Sequence, residues 1–259
     1  MPSELGSLER LLRRDRQIVL VALTSVVAFA SLYTIFGVGM GMNSVGMSYM
    51  PEAGYTYVLL AMWWIMMVAM MLPSATPIIL LTAALNRRST SDQPPYGTTA
   101  FFTAGYLLAW FLFSLVAVAI QLILENKGLL SFKMESNSTY LTAGLLLAAG
   151  FWQFSPIKQA CLRHCRSPVE FITRHRRPGN RGALMMGFHH GAYCLGCCWF
   201  LMALLFAGGV MNLYWIAGLA LFVVVEKLYS HGVWFGRLTG AGFVITAIVL
   251  LILKEPNIL

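Results

Sequence analysis

The sequence predicts an all-α fold: a single-domain bundle of about seven transmembrane helices, six at the least. Three observations predict it. Of 259 residues, 58% are hydrophobic and only 11% are charged, where ordinary soluble domains carry about a quarter charged residues. The mean hydropathy of +0.71 is spread along the whole chain, which points to a polytopic membrane protein rather than a soluble domain with one anchor. Apolar runs of about 20 residues recur throughout. No long polar segment divides them, and no internal repeat is evident. The first apolar run exceeds a signal-peptide core and no A-x-A site follows it, so no cleaved leader is expected.

In chain order the spans are expected at 17–41, 56–85, 98–124, 139–158, 182–208, 213–229 and 239–254. The first follows four arginines. The second holds AMWWIMMVAMMLPSATP, and the third is apolar almost throughout. The fourth runs into a basic link, 158–181, expected to be cytoplasmic. The fifth contains HHGAYCLGCCW. The sixth carries Glu226 and Lys227 near its end, and the seventh is short.

The net charge of +8 is distributed unevenly. Arg10, Arg13, Arg14 and Arg16 precede the first span, and Arg87 and Arg88 follow the second. Lys158, Arg163, Arg166, Arg174, Arg176, Arg177 and Arg181 fall between the fourth and fifth, and Lys227 and Arg237 around the link from the sixth to the seventh. The opposite side holds only Lys127, Lys133 and Lys254. The alternation follows the positive-inside rule and predicts a cytoplasmic N-terminus. It also assigns the basic excess to orientation and lipid headgroups rather than to nucleic acid. All five cysteines then lie in the cytoplasm or in the bilayer, none in an outer loop, and are expected to be reduced.

The fifth span raises the central question. Its histidines lie about 12 Å in from the cytoplasmic end and its cysteines about 18–24 Å in, at 1.5 Å per residue. His190 and Cys194 are four apart, and Cys197 and Cys198 follow Cys194 by three and four, so these side chains form one stripe. His189 points about 100° away, toward a neighbouring helix. Gly187, Gly191 and Gly196 permit close backbone approach. Thiolate and imidazole ligate zinc, copper and iron, and soft thiolates favour Cu(I) and zinc. A bare thiolate in hydrocarbon is costly, and a cation offsets that cost. A lone cysteine is more simply a small packing residue; three within five residues, next to two histidines, ask for a metal.

The second span brings methionines to similar depth. Met62, Met66 and Met70 recur every four residues, with Met67 and Met71 beside them. Thioethers suit Cu(I) and tolerate lipid, although methionine also fills apolar bundles. Pro73 and Pro77 are expected to kink this helix near Met70 and Met71. In the basic link, Cys161, His164 and Cys165 form a possible second, cytoplasmic metal site. Glu226 is the carboxylate placed inside a span: a functional candidate by default, or half of an ion pair.

In combination, AMMLPSATP, WQFSPIKQACLRHCRSP, GCCWFLMALLFAGGVMNLYW and the EK pair resemble the bacterial family described as predicted metal-binding integral membrane proteins. The resemblance runs from about Trp63 to Lys227. It singles out Met70, Met71, Pro73, Pro77, Trp152, Gln153, Pro156, Lys158, Cys161, Cys165, Cys197, Cys198, Trp199, Met202, Met211, Asn212, Glu226 and Lys227. It implies a multi-pass protein of the bacterial inner membrane and names no reaction.

The expectation is therefore an integral membrane protein that binds a transition metal, copper favoured over zinc or iron. The metal would sit among Cys194, Cys197, Cys198, His190 and His189, near Met66, Met70 and Met71. Such a protein would load or deliver metal to a membrane metalloenzyme, or be a subunit of one, and would meet lipids, metalloprotein subunits and a metal donor or acceptor. The alternatives are an intramembrane oxidoreductase using haem, quinone or the cysteines, and a metal-ion transporter. A thiol relay to the outside lacks an outer cysteine pair, and adjacent Cys197 and Cys198 are poorly placed to pair on a helix.

Overall fold

The computed structural model describes residues 2–39, 52–89, 96–131, 134–175, 177, 179–229 and 231–254. Residues 40 and 41 of the first expected span, and Lys133 and Arg176 of the charge pattern, lie outside these. Among the described residues the chain is helical, with one isolated bridge between Leu130 and Ser136. The order is α1 Pro2–Gly39, α2 Glu52–Ser89, α3 Tyr96–Asn126, α4 Thr139–Phe154, α5 Pro156–Arg166, α6 Pro168–His175, α7 Gly179–Ala203, α8 Leu205–Gly208, α9 Leu213–Leu228 and α10 Gly232–Lys254.

Among the described residues, five stretches are long and apolar enough to cross a membrane: Arg13–Phe36, Ala53–Arg87, Tyr96–Asn126, Gly179–Gly208 and Gly232–Lys254. The fourth and sixth expected spans fall short of that length. Helices α4 and α9 hold 16 residues each, about 24 Å at 1.5 Å per residue, against a hydrocarbon core of about 30 Å. The fourth expected span runs on to residue 158, past the Ser155–Pro156 break at which α4 ends.

The basic link is not a loop. Ser155 caps α5, its hydroxyl accepting from the Ile157 amide at 3.2 Å, and Pro156 takes the first helical position, where a missing N–H costs nothing. Ser167 closes α5, its amide donating to the Arg163 carbonyl, and Pro168 opens α6. The two short helices lie back along α7: the Cys161 sulfur faces Gly196, and the Phe171 ring sits 5.1 Å from that of His190.

The most extensive pairing joins α3 to α7. A methyl group on Gly187 would come within 1.9 Å of the Phe102 carbonyl oxygen, and one on Gly105 within 2.0 Å of that of Leu184. Bare backbones therefore touch, which is how helices associate where lipid removes the hydrophobic drive. Polar clusters pin the bundle at either end. The Asp15 carboxylate accepts from Arg87 and, at 2.7 Å, from the Tyr96 hydroxyl. Far along α3, the Glu125 carboxylate accepts from Tyr55 at 2.9 Å and from Gln121 at 2.7 Å, while the Trp63 indole donates to Gln121 at 2.7 Å. Helix α2 continues through Pro73 and Pro77.

Candidate metal centre

The α7 stripe predicted from spacing faces inward. Cys194, Cys197, Cys198 and His190 are all buried. The Cys197 and Cys198 thiols turn back one turn and both donate to the Cys194 carbonyl, at 3.0 and 2.9 Å. Their sulfurs thus gather beside that of Cys194.

A fourth cysteine joins them from α5. The Cys165 side chain hydrogen-bonds those of Cys194 and Cys197, and these bonds, with burial, hold its thiol well above the ordinary value. Sequence spacing grouped Cys165 with Cys161 and His164 instead. The structure separates these three. His164 stacks flat on Tyr193, ring centroids 4.3 Å apart, and its Nδ1 bonds the Ala160 carbonyl. The Cys161 sulfur packs on Gly196, its thiol raised by burial and by nearby Cys197. Cys161 and Cys165 are partly exposed as residues while the three α7 cysteines are enclosed. The Cys165 sulfur itself turns inward onto Cys194 and Cys197, which leaves Cys161 as the thiol nearest the open face.

Around Cys194 runs a closed ring of contacts from four helices. Its sulfur meets the Tyr106 hydroxyl at 3.2 Å, and that hydroxyl reaches the Met71 carbonyl at 3.1 Å. The same carbonyl accepts from the Ser74 hydroxyl at 2.9 Å. The Lys227 ammonium then donates to Ser74 at 3.2 Å and back to the Cys194 sulfur at 2.9 Å. Met66, Met70 and Met71 are buried on α2, and in this ring Met71 contributes its backbone rather than its sulfur.

The Glu226 carboxylate turns away from the sulfurs. It pairs with Lys158 of α5 at 2.6 Å, both side chains almost fully enclosed. Lys158 also donates to the Gln153 side chain. His189 points off the stripe toward His175, rings 6.3 Å apart. Buried His190 lies among Phe102, Tyr106 and Phe171, and its Nδ1 has no hydrogen-bond partner. The spacing argument missed Tyr106, Ser74 and the sulfur-facing side of Lys227. Lys158 and Lys227 were marked by the charge pattern and the resemblance but not as neighbours of the sulfurs; nothing in the sequence marked Tyr106.

A model of a family described as PpoB2, copper chaperone, matches residues 60–250. The chain belongs to the PpoB2 copper chaperone family. The match takes in every cysteine, α2 from Leu60 onward and the Glu226–Lys227 pair, and leaves α1 outside it. No curated protein and no solved structure matches the chain.

The donor set suits a copper chaperone. Four gathered sulfurs are soft donors of the kind that select Cu(I), and the Nδ1 of buried His190 is left without a hydrogen-bond partner. An orphaned buried polar atom of this kind asks for an explanation. Among the described residues, no group of three or more His, Cys, Asp or Glu side chains is arranged to hold a metal ion. The four thiols instead hydrogen-bond one another, Cys165 and Cys198 each meeting both Cys194 and Cys197.

Proposed function

We propose that this protein is a membrane-embedded Cu(I) carrier that holds its ion on the sulfurs of the α5–α7 cluster and passes it to a metalloprotein partner. One observation carries the reading. Cys165 of α5 and Cys194 and Cys197 of α7 come from segments far apart in sequence, yet their side chains bond one another. Monovalent copper accepts two soft sulfur ligands, so pairwise contact between two helices suits it. The partly exposed Cys161 lies toward the open side of the enclosed thiols, where a donor or acceptor would exchange the ion by thiol-to-thiol transfer. Five apolar helices of spanning length and the loop-by-loop alternation of basic residues support a multi-pass location in the inner membrane with the N-terminus in the cytoplasm.

The test is elemental analysis of reduced, detergent-purified protein after loading with Cu(I) and removal of free metal. Wild type is expected to retain about one copper per chain, whereas the Cys194→Ser, Cys197→Ser, Cys198→Ser triple variant retains none and Cys165→Ser loses most of it. A folded wild type that keeps no copper after loading would end the copper reading and leave the cysteines as packing residues. Retention of zinc in place of copper would change the cargo.

A further inference from the structure

We infer that Lys227 is the built-in counter-cation of the copper site, balancing one Cu(I) held by two thiolates and so setting both the charge and the number of ligands the site accepts. The inference rests on the copper reading above. It starts from a side chain that the proposed function does not use.

Lys227 is buried near the end of α9. Its ammonium bonds the Cys194 sulfur at 2.9 Å and the Ser74 hydroxyl at 3.2 Å: a sulfur and a neutral oxygen, rather than a carboxylate. The nearest carboxylate in sequence, Glu226, is committed to Lys158 at 2.6 Å. Those two charges cancel, and the charge of Lys227 remains facing the sulfurs. Ser74 holds the ammonium in place because its own proton is directed to the Met71 carbonyl, which leaves its lone pairs for the lysine.

Charge counting then limits the cargo. In a low-dielectric interior an unbalanced charge is strongly disfavoured. Two thiolates carry two negative charges; one Cu(I) and one ammonium carry two positive ones, and the sum is zero. A third thiolate leaves a surplus negative charge, and a divalent ion on two thiolates leaves a surplus positive one. A divalent ion beside Lys227 reaches neutrality only on three thiolates, so for Cu(I), the proposed cargo, the balance fixes two sulfurs. Lys227 is a positioning and selecting group here, not a ligand, since a charged ammonium has no lone pair to offer.

The experiment compares wild type, Lys227→Met and Lys227→Arg, all reduced and in detergent, by competition for Cu(I) with a chromophoric Cu(I) chelator and separately by titration with Zn(II). Lys227→Met is expected to lose at least tenfold in Cu(I) affinity and to shift its preference toward Zn(II). Lys227→Arg, which keeps the charge, is expected to stay within about threefold of wild type, a rescue that a merely space-filling role would not produce. Equal or tighter Cu(I) binding by Lys227→Met overturns the inference. Should Lys227→Met fail to fold, X-ray absorption on copper-loaded wild type decides it: two sulfur neighbours are expected, and three or four overturn it. A wild type that takes no Cu(I) brings down the copper reading itself, a separate result from a wild type that loads beside an indifferent Lys227→Met.

Discussion

Lys158 and Glu226 illustrate how a single residue is held in this interior. Their ion pair is sealed from solvent, so removing one partner strands the other. Glu226→Gln is expected to cost about 3–5 kcal/mol, read as a lowered midpoint in thermal or denaturant unfolding of the detergent-solubilised protein. Replacing both residues by methionine should restore most of that loss, because well-packed apolar side chains of similar volume substitute for buried pairs. A double variant as unstable as the single one would show that these positions need charge itself. At this scale the sequence was legible where one helix supplied the whole pattern: the Cys194, Cys197, Cys198 and His190 stripe follows from helical spacing. Lys227 was legible only as a member of a charged doublet. Its partners come from α2 and α7, and no spacing within α9 reports which side chains other helices bring.

Among the elements, α3 and α7 make the contact on which the site depends. The glycines of α7 announced a close approach, and Gly187 and Gly191 both lie against the α3 backbone. Gly187→Ala would drive a methyl into the Phe102 carbonyl at 1.9 Å. A loss of about 1–3 kcal/mol is expected, with a lowered melting temperature. Copper retention should fall as well, because Tyr106 and Cys194 would be drawn apart. Unchanged stability would mean the pair slides without cost. Helix α5 was the least legible element. Lys158, Arg163 and Arg166 read as part of a basic cytoplasmic link, yet Lys158 finds Glu226 and Arg166 reaches the Tyr229 carbonyl at 2.7 Å. Basic residues that find partners on another helix look, in sequence, the same as basic residues facing headgroups.

At the scale of the whole molecule the helical class and the apolar character were plain from composition, and the family match supports the metal chemistry. The number of spans was not, since hydropathy registers apolar content without regard to where a helix stops. The gradation of exposure across the thiols leads to a further prediction. A membrane-impermeant maleimide added to inside-out vesicles should modify Cys161 well before Cys165, Cys194, Cys197 and Cys198, and loading with Cu(I) should slow the last four further. Labelling from right-side-out vesicles instead would reverse the orientation read from the basic residues. Equal rates at all five cysteines would contradict the enclosed cluster.

The shortness of α9 carries one more consequence. Lys227 is the penultimate residue of a helix only 16 residues long, and the Tyr229 carbonyl just beyond it is held by Arg166 of α5. On the α5 side the sulfur cluster is covered by a helix of only 11 residues. Under the proposed function, a partner that displaces α5 uncovers the cargo, so the hand-over is a docking event at a thin wall, and the long helices serve as the quay.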